Sequence, residues 1–134
     1  MKYTKFLALF LPVTLLVMLT SCKKNAVTDA EKPALAFVEP EISDTVNLSL
    51  GEELHIEFTA TDNAGLHSLE VSLKDQNGTS YLMQTPSVTN LKVYPFHAHL
   101  SPALTGPATM TLQVLAEDHS GNTCEANISF LVLP

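Results

Sequence analysis

The sequence predicts an all-β domain, a two-sheet antiparallel sandwich of about seven short strands. Three observations lead there. From Pro33 onward apolar residues recur with period two, and no helical stripe longer than a turn appears. Clusters of Asp, Asn, Gly and Pro interrupt the chain at intervals of about ten residues. The stretch so patterned, roughly a hundred residues, is the length at which two packed sheets share one core.

Leu35 and Phe37, followed by Glu39-Pro40, suggest a first short strand. Val46, Leu48 and Leu50 alternate with Asn47 and Ser49 before Gly51-Glu52-Glu53 turns the chain. Leu54, Ile56, Phe58 and Ala60 alternate with His55, Glu57, Thr59 and Thr61, the clearest half-buried strand of the first half. Asp62-Asn63-Ala64-Gly65 is a turn by composition, because Asx residues and glycine tolerate positive φ. Leu69, Val71 and Leu73 form the next inward parity, and Asn77-Gly78 signals a hairpin whose return strand is Thr79 to Gln84. Pro86 ends that strand. Leu91 to Leu100 places Tyr94, Phe96, Ala98 and Leu100 on one parity and Pro95, His97 and His99 on the other. A proline- and glycine-rich connection, Ser101 to Pro107, leads to Thr109–Glu117, with Met110, Leu112, Val114 and Ala116 on one face. Asp118 to Asn122 turns the chain into a last strand with Cys124, Ala126, Ile128, Phe130 and Val132 inward. This last hairpin is the longest apolar pair and is expected at the centre of one sheet.

The N-terminus follows different rules. Lys2 and Lys5 precede an apolar run from Phe6 to Ser21 that Pro12 interrupts. The run falls short of the roughly 20 residues of a spanning helix and has the flanks of a secretory signal. It ends in Leu19-Thr20-Ser21-Cys22, which resembles the lipobox of bacterial lipoproteins. That resemblance implies cleavage before Cys22, acylation of its sulfur and attachment to a membrane, since two or three buried acyl chains hold where one does not. The expected organisation is a signal peptide (1–21), the lipidated cysteine with a flexible tether (22–32) and the sandwich domain (33–134). Lys23–Lys32 lacks apolar periodicity and reaches at most about 35 Å when extended.

Composition narrows the partners. The chain has seven Lys, no Arg and fourteen acidic residues; removal of Lys2 and Lys5 takes its formal charge from −7 to −9. Such a surface lacks the cations that neutralise phosphates, so nucleic acid is excluded as a partner. If Cys22 is acylated, Cys124 stands alone and no intramolecular disulfide is available. Stability then rests on the apolar core.

Ala60-Thr61-Asp62-Asn63-Ala64-Gly65-Leu66 and Val114-Leu115-Ala116-Glu117-Asp118-His119-Ser120-Gly121-Asn122 resemble the two turn signatures of bacterial immunoglobulin-like modules. Leu54-His55-Ile56-Glu57 and Phe96-His97-Ala98-His99-Leu100 are more narrowly similar to an uncharacterised immunoglobulin-like lipoprotein family of Bacteroidota. The resemblance runs from Pro33 to the C-terminus. It implies an immunoglobulin-like fold and a lipid-anchored place in the bacterial cell envelope, at the outer membrane, and leaves activity open. The chain lacks that family's His-rich insert after the Leu66 to Lys74 strand and its His on the Thr109 to Glu117 strand.

Two constellations carry candidate chemistry. His97 and His99 alternate on one strand and project from one face, opposite to Phe96 and Leu100. His55 and Glu57 take the outward parity of their own strand. Where second and later strands pair as in immunoglobulin-like sandwiches, His55 lies across from the other two. Three neutral imidazoles and the Glu57 carboxylate suit zinc or copper; equally, such residues serve as polar groups on a solvated face. The second constellation is Asp62 and Asn63 in one turn with Glu117, Asp118 and Asn122 in another, expected at the same end of the sandwich. Their oxygens suit calcium, and they are also what turns use to satisfy their own backbone. Cys124 points inward as a small apolar residue. No Ser-His-Asp order, phosphate-binding glycine loop or paired carboxylates in a cleft is readable. The expectation is a non-enzymatic envelope module that binds an envelope protein or glycan, with metal binding as the alternative.

Overall fold

The computed structural model describes residues 29–40, 45–48 and 53–133. Cys22 and the apolar run before it lie outside the described residues. Within them eight strands form two sheets: β1 (Ala34–Glu39), β2 (Thr45–Asn47), β3 (Leu54–Thr61), β4 (Leu66–Asp75), β5 (Ser80–Gln84), β6 (Val93–Leu100), β7 (Ala108–Asp118) and β8 (Thr123–Leu133). One sheet has the order β1-β3-β6 and the other β2-β8-β7-β4-β5. Among the described residues no helix is long and apolar enough to cross a membrane.

The strands form where the alternation demands them. In β3 the even positions Leu54, Ile56, Phe58 and Ala60 are buried while His55 and Glu57 are exposed. In β7 Met110, Leu112, Val114 and Ala116 are buried likewise, and they meet Leu69, Val71 and Leu73 of β4 and Ile128, Phe130 and Val132 of β8 in one continuous core. Full burial of each such side chain contributes about 1.5–3 kcal/mol, which is what holds two sheets together without a cross-link. β7 is the middle strand of its sheet, paired with β8 from Ala108↔Val132 to Glu117↔Thr123. In the smaller sheet Phe58 stacks on Phe96 at a ring-centroid distance of 4.8 Å and tilts against Phe37 at 5.2 Å. Pro95, which has no N–H to give a ladder, is tolerated because β6 is an edge strand.

Three details depart from the expectation. The sandwich is not antiparallel throughout, because β2 runs parallel to β8. Side chains alternate identically in both kinds of pair, so the pattern reveals a strand without revealing its direction. The Asn77-Gly78 hairpin closes around the longer run Gln76 to Gly78, with the Gly78 N–H on the Asp75 carbonyl and the Asp75 N–H on the Thr79 carbonyl. Within β4 a register shift between Leu66 and Ser68, which the alternation does not show, turns His67 outward.

Asp75 organises its turn through the side chain. Oδ1 accepts the N–H groups of Asn77 and Thr79, and Oδ2 accepts the Tyr81 hydroxyl. Desolvation pushes this carboxyl up, but the hydrogen bonds from Thr79 and Asn77 outweigh it and hold the group below its ordinary value. A carboxyl depressed in the folded state adds stability above the unfolded pKa, about 3.9, and loses it as pH falls through the folded value. We therefore expect the thermal midpoint to drop below about pH 4, and Asp75→Asn to flatten that acid limb in melts recorded from about pH 2 to 7.

Gly65 and Gly78 both have positive φ, +122° and +83°. A Cβ on Gly78 would meet nothing within 4 Å, whereas one on Gly65 would press on the Asn90 backbone at 3.3 Å. Gly78→Ala should lose roughly 1 kcal/mol from conformation alone, and Gly65→Ala clearly more, read as the shift in urea midpoint.

Candidate metal centre

The β3–β6 ladder sets the first cluster. His55 stands across from His99, and Glu57 across from His97. Because the inward parity of both strands belongs to the core, all three imidazoles emerge on the outer face of the small sheet, and all three are exposed. The His55 and His99 ring centroids are 4.2 Å apart, His97 and His99 4.4 Å, and His55 and His97 6.2 Å. One ring nitrogen from each lies within 4.8 Å of the other two. A tetrahedral ion with zinc–nitrogen bonds near 2.0–2.1 Å needs its ligands about 3.3 Å apart, a distance that small rotations of exposed rings reach.

Two carboxylates that sequence reasoning missed border this cluster. Glu53 Oε2 lies 3.0 Å from His99 Nδ1, and Glu39 Oε2 3.7 Å from His55 Nδ1. Glu53, accepting from Nδ1–H of neutral His99, leaves Nε2 as the lone-pair nitrogen, the arrangement that fixes histidine ligands around metals, whereas Glu39 at 3.7 Å supplies only a nearby charge. Glu57, expected as a ligand, keeps its place opposite His97, but its carboxylate is not part of the converging group. Glu39 belongs to the neighbouring strand and Glu53 directly precedes β3, so neither shares the histidines' spacing; only their charge hinted at a role.

The second cluster lies at the other end of β3. Asp62 and Asp118 are buried, 6 % and 1 % exposed, and a carboxylate oxygen of each lies within 4.8 Å of the other and of one from Asp29. Asp62 Oδ1 accepts the N–H groups of Ala64 and Gly65. Asp118 Oδ1 accepts those of Ser120 and Asn122, while Oδ2 accepts the Asn122 amide at 2.6 Å. Burial raises the Asp118 carboxyl, yet the hydrogen bonds from Asn122, Ser120 and Gly121 prevail and keep it below the ordinary range, so it is ionised at neutral pH. Asn63 and Asn122, expected as oxygen donors, instead turn their amide nitrogens toward Asp29 and Glu31. Glu117 lies apart from the three aspartates and accepts from Ser68 Oγ at 3.5 Å. Asp29 to Glu31, read from sequence as tether, are hydrogen-bonded onto these turns. Their polar composition gave no core signal, because what holds them is amide chemistry.

A third grouping went unnoticed in the sequence. His67 Nδ1 and His119 Nδ1 are 3.2 Å apart, and His119 Nε2 lies 2.9 Å from Asn90 Oδ1. The amide oxygen accepts a hydrogen bond from Nε2–H of His119, whose Nδ1 in the neutral ring then accepts from Nδ1–H of His67. The bulge in β4 and the turn after β7 bring these rings together, which period-two reasoning does not foresee.

No model of a known protein family matches the chain, and no curated protein matches it. Function is therefore read from these side chains.

Proposed function

We propose that this protein is a non-enzymatic lipoprotein of the bacterial envelope whose immunoglobulin-like domain binds a borderline divalent ion, zinc or copper, through His55, His97 and His99. The observation that carries the reading is the convergence of one nitrogen from each ring within 4.8 Å, with Glu53 and Glu39 against two of the rings. Imidazole donors favour zinc and copper over magnesium or calcium. An exposed site of three protein ligands leaves coordination open to water or to a donor from a partner, which suits ion uptake or delivery better than a structural role. The anchor rests on the Leu19 to Cys22 motif, and the immunoglobulin-like reading on a strand order that splits β1-β3-β6 from a sheet centred on β7. An acidic surface without arginine supports an envelope protein or glycan, rather than nucleic acid, as any further partner.

Calorimetric titration of the full chain in detergent tests this. Zinc or copper should bind at one site more tightly than about 100 μM, and His97→Ala/His99→Ala should abolish binding; heat unchanged in that variant, or none in the parent, would end the proposal. Glu53→Gln should weaken binding by roughly tenfold or more while leaving the fold intact. Acidification should weaken it as well, since protons compete for the imidazole lone pairs.

A further inference from the structure

We propose that Asp29, Asp62 and Asp118 form a calcium site that docks the Asp29 to Glu31 segment onto the end of the sandwich. Three carboxylates meet here within 4.8 Å, and among the described residues no lysine makes an ion pair with any of them. Acidic residues gathered at a turn are ordinary, and hydrogen bonds within the turns, from backbone N–H groups and the Asn122 amide, account for one oxygen of Asp62 and both of Asp118. They do not account for the rest. Asp62 is 6 % exposed, its Oδ1 is taken by the turn, and its Oδ2 is enclosed without a hydrogen-bond partner. Oδ2 of Asp29 is enclosed without a partner in the same way.

An unpaired buried carboxylate oxygen beside two other carboxylates is held there against desolvation and repulsion together. A cation resolves both. The donors are hard oxygens with no nitrogen or sulfur among them, which selects calcium or magnesium over zinc and copper. Calcium bonds of 2.3–2.6 Å put two ligands of one ion at most about 5 Å apart, and its irregular six- to eight-fold shell accepts carboxylates from three separate segments. Magnesium demands near-ideal octahedral geometry at shorter distances and gives up its water reluctantly. Asp29 is the distinctive member. It comes from outside the strands, and its backbone carbonyl already meets the Asn122 amide at 3.0 Å. Bound calcium would therefore join the segment nearest the proposed anchor to the β3–β4 and β7–β8 turns.

The site is independent of the histidines, at the opposite end of β3. The test is a thermal melt of the full chain in detergent, stripped with chelator and titrated with calcium chloride or magnesium chloride. Calcium should raise the midpoint saturably, with an affinity in the range of about 10⁻⁵–10⁻³ M, and magnesium should do so more weakly. Asp62→Asn keeps an oxygen to accept from Ala64 and Gly65, so the turn survives, and the calcium response should vanish. Asp29→Asn cannot disturb the strands and should weaken the response by roughly tenfold or more. His97→Ala/His99→Ala should leave it unchanged. Amide hydrogen exchange supplies the second readout: calcium should slow exchange at residues 30 and 31 in the parent and not in Asp62→Asn. A midpoint indifferent to calcium up to about 10 mM, or the same shift in both aspartate variants, would overturn the proposal.

Discussion

Phe58 lies between Phe37 and Phe96, and this stack across β1, β3 and β6 determines what the outside of the small sheet can display. With an aromatic ring locked inward at the middle of each strand, a slip of one residue would turn the whole apolar set to water, so the register is set by the core. Everything at the outer face follows. His55 must oppose His99, and His97 must stand beside it on the same strand, because their inward neighbours Leu54, Ile56, Phe96 and Ala98 are committed elsewhere. The histidine cluster is thus held by hydrophobic burial beneath it, and the Glu53 carboxylate only trims the orientation of His99.

Three turns share the spacing of an aspartate and a glycine three residues later: Asp62 to Gly65, Asp75 to Gly78 and Asp118 to Gly121. Each aspartate ends a strand or directly follows one, and accepts backbone N–H groups from the turn it begins. Their second oxygens separate them. Asp75 gives its second oxygen to Tyr81, Asp118 to Asn122, and Asp62 to nothing. Turn chemistry accounts for the motif wherever it occurs; it does not account for burying two of the three side by side with Asp29 against them. The difference lies in position rather than in sequence, since Asp75 sits by a hairpin at the edge of the large sheet while Asp62 and Asp118 close neighbouring ends of the two sheets.

That contrast explains how much could be read before the structure. Period-two alternation revealed every strand of the core, and parity correctly set His55, His97 and His99 outward, because both depend on residues one or two apart. The parallel pairing of β2 with β8 was hidden, since alternation carries no direction. Glu39 and Glu53 were hidden because they approach the histidines from an adjoining strand and from the residue just before β3. Asp29 was hidden most deeply. Its neighbours have the composition of a solvated tether, and only the folded ends of β3 and β7 supply the Asn63 and Asn122 amides that hold it. The His67–His119 contact likewise depends on a register shift in β4 that leaves no mark in residue type.

β3 links the two clusters and separates their chemistries. His55 and Asp62 are seven residues apart along an extended chain, about 24 Å. Nitrogen donors occupy one end and carboxylate oxygens the other, so ions of different hardness have no reason to compete for the same ligands. Asp29 stands seven residues after Cys22, a span of at most about 25 Å. With Cys22 acylated as proposed, fixing Asp29 to the turns would hold the aspartate end within that span of the bilayer. The imidazoles would then face away from the membrane, where an exposed ion with an open coordination position meets partners rather than lipid.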